Sequence, residues 1–101
     1  VSTAKRSQQA PELPTIAESG VPGYDVTNWI GMLAPAATPR AIVLRLNRDI
    51  AAILNAPEMR ERFRTQGVDL VSSTPEAFAA FIRSELAKWR KVVKESGATI
   101  G

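Results

Sequence analysis

Histidine and cysteine are both absent from the 101 residues. Any nucleophile or proton-transfer group would therefore come from Asp, Glu, Lys, Ser, Thr or the single Tyr. Cys or His triads, thiolate chemistry, disulfides and the common zinc ligand sets are excluded at once. Of the carboxylates, Glu18 and Asp25 lie near the only loop-rich stretch, and each has a local explanation as a cap or turn residue. No second group is fixed beside either by spacing. No phosphate loop of the G-x-x-x-x-G-K or G-x-G-x-x-G type occurs, and Gly20-Val21-Pro22-Gly23 is too short to cradle a phosphate. The expectation is a non-enzyme with no cofactor and no metal centre. An activity would have to disappear on changing Asp25 or Tyr24.

Thirteen Lys+Arg against ten Asp+Glu give a formal charge of +3 without any long single-sign block. Basic residues gather at Arg60, Arg62 and Arg64 and again at Lys88, Arg90, Lys91 and Lys94, but Glu58, Glu61, Glu85 and Glu95 dilute both groups. A basic helical module binding protein or nucleic acid is the competing reading. Phosphate binding would weaken steeply with salt, and no nucleic-acid partner is expected. No apolar run approaches the ~20 residues that span a bilayer, and the N-terminus lacks a signal-peptide apolar region. The chain reads as soluble. It opens on Val1 rather than Met and runs straight into a polar stretch, as a processed or truncated product would.

The elements that must position these side chains follow from punctuation and periodicity. Pro11, Pro14, Gly20, Pro22 and Gly23 make residues 4 to 23 a surface connection. Within it, Thr15 and Glu18 have the T-x-x-E spacing of a capping box, predicting one short turn that Gly20 ends. Tyr24, Val26, Thr27, Trp29 and Ile30 predict a strand near 28 to 34, stopped by Ala34-Pro35. Gly31 inside it implies a bend or a close approach by another group.

Thr38-Pro39 predicts a helix start with Thr38 as cap. Ile42, Val43, Leu46, Ile50, Ile53 and Leu54 then recur at spacings that predict one buried face. Asn55-Ala56-Pro57 repeats the punctuation, predicting a second helix over 57 to 66 that buries Met59 and Phe63 and ends at Gly67. Val68 to Val71 is a short candidate strand. Ser73-Thr74-Pro75 opens a long helix whose Phe78, Phe81, Ile82, Leu86, Trp89, Val92 and Val93 form an aromatic and aliphatic stripe before Gly97. Such a stripe is core by default. Lys88, Arg90, Lys91 and Lys94 near its end complement the helix dipole. No internal repeat is present.

The order of these pieces is distinctive: Leu-Pro-Thr-Ile-Ala-Glu-Ser-Gly (13 to 20), Val-Pro-Gly-Tyr (21 to 24), Trp-Ile-Gly-Met-Leu-Ala-Pro (29 to 35) and Thr-Pro (38 to 39). Leu-Asn (46 to 47), Gly67, Ser-Thr-Pro-Glu-Ala-Phe (73 to 78) and a final helix with Trp89 complete it. From about residue 4 to 100 this resembles the C-terminal third of the tripartite tricarboxylate transporter receptors, the Bug solute-binding proteins.

The resemblance implies a periplasmic receptor of two α/β lobes, a type II periplasmic-binding-protein-like fold. Such a receptor closes on a small organic acid and delivers it to a membrane permease. This chain would supply the helix-rich C-terminal part with a few strands. Residues 1–27 would be the end of the second lobe and surface connection, and 28–101 the crossing strand (about 28 to 35) with the C-terminal part of the first lobe. The family's acid-holding loops lie in the earlier two thirds, where backbone N–H groups and helix N-termini suit carboxylates. Here the positions implicated are Asn28, Trp29 and Gly31, which would border the interlobe cleft and lie where a hinge flexes. Helices built for an absent sheet would leave apolar faces uncovered. The chain is therefore expected to pair with the N-terminal segment of the same receptor or to dimerise by exchanging elements.

Overall fold

Three helices account for all the regular structure in the computed structural model, which describes residues 1–101: α1 (Arg40–Leu54), α2 (Pro57–Arg64) and α3 (Pro75–Ser96). Each starts at or just after a proline, whose missing N–H costs nothing in the first turn. Helix α1 touches both α2 and α3, which do not touch each other. No helix is long and apolar enough to cross a membrane.

The helix ends separate sequence signals that act locally from those that do not. Thr74 caps α3 as expected, its hydroxyl accepting from the Ala77 N–H at 3.1 Å, and Gly97 ends the helix in the left-handed region at φ 69°. Thr38 does not cap α1: Pro39 takes the cap position with no side-chain bond, and the Thr38 N–H is spent on the Pro35 carbonyl in the preceding turn. Asn55 does not cap α2 either. Its Oδ1, the atom a cap would use, accepts from Arg60 Nη2 at 2.6 Å, while its amide donates to the Ala51 carbonyl at 2.8 Å and to Ser72 Oγ at 3.1 Å, leaving Ala56 as an uncapped start. Helix α2 stops at Arg64, two residues before its expected end, in a turn that Gly67 completes with φ 76°.

Residues 28–34 and 68–71, expected as strands, carry no ladder in this structure. A strand is defined by its hydrogen-bonded neighbour, and neither segment finds one within these 101 residues. The Val68 N–H bonds back to Phe63, and Ile30 lies 99% exposed. Both segments have the composition of strands without a sheet to join.

The expected buried faces are covered on one side only. On α1, Val43, Ile50 and Leu54 are half-buried, whereas Ile42, Leu46 and Ile53 stay about half exposed. On α3, Phe78 and Ile82 are half-buried, and Phe81, Leu86, Trp89, Val92 and Val93 are exposed. No hydrophobic residue is fully buried, and only Thr15 and Glu85 are. The expected buried faces are thus not buried within these 101 residues, because no second layer packs on their outer halves.

The N-terminal segment is organised by hydrogen bonds instead of a core. Thr15 N–H donates to Glu18 Oε2 at 2.8 Å and Glu18 N–H donates to Thr15 Oγ1 at 3.0 Å, both halves of the capping box. Arg6 Nε reaches the same carboxylate at 2.9 Å, and Gly20 leaves the turn at φ 114°. The Thr15 backbone bond, then Arg6, holds the Glu18 carboxyl below its ordinary value of 4.5. A carboxyl depressed by folding stabilises above its unfolded value and loses that contribution as pH falls through the folded one. A carboxyl-carbon NMR titration should therefore place the Glu18 midpoint below 4.5. Arg6→Ala should move it upward, and a wild-type midpoint at or above the ordinary value would contradict the geometry.

Candidate functional site

Trp29 and Gly31 lie against α3. The Trp29 ring meets Phe78 edge-on at 5.8 Å between centroids and Phe81 at 5.1 Å, so three aromatics share one patch. Edge-to-face pairs add about 0.5–1.5 kcal/mol beyond area burial. Two residues on, Gly31 is the close approach that its place in the sequence implied. A Cβ there would fall inside the van der Waals envelope of Phe78 Cζ, with both Cε atoms within 3.2 Å. The Phe78 ring takes the space a side chain would need. Asn28, the third expected position, is exposed and its side chain makes no hydrogen bond within the chain.

Beside Trp29 opens a hollow of about 210 Å³ lined by Trp29, Ile82, Glu85, Leu86 and Trp89. Its single carboxylate is one of the two buried residues, 8% exposed. Glu85 Oε1 accepts from Lys88 Nζ at 2.7 Å and Oε2 from Trp89 Nε1 at 2.9 Å. Lys88 first, then the Trp89 and Trp29 indoles, hold the Glu85 carboxyl below its ordinary range. Each carboxylate oxygen thus holds one donor, an arrangement suited to fixing its neighbours. Lys88 Nζ also donates to the Asp25 carbonyl oxygen at 2.9 Å, joining α3 to the segment that leads into Trp29.

The sequence reading took Glu85 as a diluting charge and Lys88 as a complement to the helix dipole, and so missed this cluster. The signal for half of it was present, since Glu85, Lys88 and Trp89 have the i, i+3 and i, i+4 spacing of helix neighbours. The other half, Asp25, is 63 residues from Lys88 and carried no signal. Gln9 makes a comparable link at the opposite end, its side-chain amide donating to the Arg64 carbonyl.

Several of the basic groups are engaged with carboxylates. Arg40 pairs with Glu76, Arg64 with Glu61, and Lys91 lies near Glu95. A larger hollow of about 480 Å³ between α2 and residues 68–71 contains Arg60 and Arg64. Arg60 is already bonded to Asn55 and Arg64 to Glu61.

Comparison with known proteins gives consistent matches along the chain. Residues 1–98 match the family model described as "Tripartite tricarboxylate transporter family receptor". Among curated proteins, one encoded in the tcbD-tcbE intergenic region of Pseudomonas sp. (strain P51) is 40% identical over 96 residues, covering 94% of this chain and 29% of that protein. BugT of Bordetella pertussis is 35% identical over 100 residues, covering 99% of this chain and 31% of BugT. Among solved structures, R. palustris Rpa4515 with adipate superposes with a TM-score of 0.79 at 38% identity, over 95% of this chain and 32% of that one. The periplasmic binding protein BugD gives 0.77 at 34% identity, over 95% and 33%. The chain therefore spans about a third of the length of the relatives it matches.

Proposed function

Because this chain belongs to the tripartite tricarboxylate transporter receptor family, we propose that it forms the C-terminal third of a periplasmic receptor that closes two lobes on a small organic acid and passes it to a membrane permease. The observation that carries this reading is the superposition on an adipate-bound relative over nearly the whole chain. The family is one of binding receptors, not enzymes, and the occupied carboxylate of Glu85 fits that assignment.

In this reading residues 1–27 close the second lobe, residues 28–35 cross between lobes, and α1 to α3 complete the first. The uncovered halves of α1 and α3 face the sheet supplied by the preceding two thirds. Asn28, Trp29 and Gly31 border the cleft, in different ways. Trp29 and Gly31 are committed to packing on Phe78 and Phe81, which leaves the Asn28 side chain, with no partner of its own, as the group able to donate to a ligand carboxylate. Neutral amide donors suit this task, because they orient a carboxylate without a mobile cation.

The test is calorimetric titration of the full-length receptor with adipate, citrate and benzoate. Binding of at least one, weakened about 10–150-fold by Asn28→Ala, is expected from the loss of one hydrogen bond to a charged group. Affinity should change less than about threefold between low and moderate salt, as for a charge enclosed away from solvent. Absence of binding by all three acids, or a steep salt dependence, would count against the receptor reading.

A further inference from the structure

We infer that Lys88 is a positioning residue: with the Gly31–Phe78 contact it clamps residues 25–31 along α3, so that this stretch is carried rigidly on the helix and the bend of lobe closure lies outside it. The two attachments are independent. At one end Lys88 Nζ donates to the Asp25 carbonyl at 2.9 Å. The ammonium is aimed from below by Glu85 at 2.7 Å, and Trp89 fixes that carboxylate's other oxygen at 2.9 Å. At the other end Gly31 sits against the Phe78 ring with no room for a Cβ.

Dimensions decide what such a span can do. Phe78 and Lys88 are ten residues apart on α3, about 15 Å at 1.5 Å per residue. The chain from Asp25 to Gly31 has six steps, which at a limit of ~3.3–3.6 Å each can reach about 20 Å. Both attachments are therefore within reach of one short stretch of chain. Between its ends the Trp29 ring is wedged onto Phe78 and Phe81.

The first attachment is itself braced from the N-terminal side. Asp25 Oδ1 accepts from the Ala4 N–H and from Thr27 Oγ1, each at 3.1 Å, and the Val26 N–H donates to the Ser2 carbonyl at 2.8 Å. A lysine that surrenders its rotamer freedom to a single backbone carbonyl needs such a fixed target, since holding the side chain still costs entropy. The consequence for the cleft rests on the receptor reading, but the clamp does not. Residues first singled out as a flexing hinge become the stiff part beside it.

Amide hydrogen exchange on the full-length receptor, without ligand, tests this directly. Lys88→Met should raise exchange of the Val26 amide, which is bonded to Ser2 beside the clamp, tenfold or more, leaving α1 protected. Lys88→Arg, which keeps a cationic donor, should retain protection. Unchanged exchange in Lys88→Met would overturn the proposal, and so would a rise shared equally by α1, the mark of a general loss of stability. If Lys88→Met does not fold, Lys88→Gln gives the same comparison with a polar side chain. No acid is present in the measurement, so its failure is distinct from failure of the carboxylate titration.

Discussion

Gly31→Ala in the full-length receptor is expected to destabilise it by about 1–3 kcal/mol, the range for forcing extra volume into a packed site, and to lower the melting temperature by several degrees. The added methyl would lie inside the envelope of the Phe78 ring. The ring's retreat is hindered by Trp29, which abuts it edge-on, and by Phe81, which lies nearly parallel at 6.4 Å. Gly31→Leu should be worse. Trimming the obstacle should reverse the sign, so that Gly31→Ala costs much less in a Phe78→Ala background, with a coupling of about 0.5–3 kcal/mol in the double-mutant cycle. A Gly31→Ala protein that melts with the wild type, or a cycle without coupling, would show that the contact does not constrain the receptor.

This contact also marks the boundary of what the sequence could say. A glycine in a β-branched and aromatic run announces that something comes close, but not what, and Phe78 is 47 residues away. Signals confined to one turn were legible in full: Thr15 with Glu18, Thr74 with Ala77 and the left-handed Gly97 all act over a few residues. Thr38 and Asn55 carry the same punctuation yet failed as caps. The Asn55 Oδ1 accepts from Arg60 instead, and at α1 Pro39 occupies the cap position itself, one residue after Thr38. The Lys88–Asp25 bond was beyond any pattern, because an exposed helix lysine looks the same whether or not a carbonyl waits beside it. The strands failed for a different reason. The composition of 28–34 and 68–71 is that of strands, but pairing is a relation between two segments, and the second one is not in these residues. The ordered string of motifs, by contrast, identified the family, because eight short pieces in order are far more specific than any one of them.

Produced alone, the 101-residue polypeptide is expected to associate, or to remain without a cooperative fold, and this should be the largest effect of all. Its accessible surface is 8340 Å², against about 5,600 Å² for a compact monomer of this mass. Its radius of gyration is 16.6 Å, against ~13 Å for a compact domain of this length. The excess of about 2,700 Å² is one side of an interface at the obligate end of the known range. Much of it is apolar, since Ile30, Met32 and Leu33 are exposed beside the outer halves of α1 and α3. With no hydrophobic residue buried, the main term that offsets chain entropy is missing. Covering that face, by the remainder of the receptor or by a second copy exchanging elements, is what supplies it. Multi-angle light scattering of the isolated polypeptide should give a mass of at least a dimer at tens of micromolar. Calorimetry should show either a concentration-dependent transition or none. Adding the preceding two thirds of the receptor as a separate chain should yield a single complex with a sharp melt. A monodisperse 101-residue monomer that unfolds cooperatively would refute this account of the uncovered helix faces.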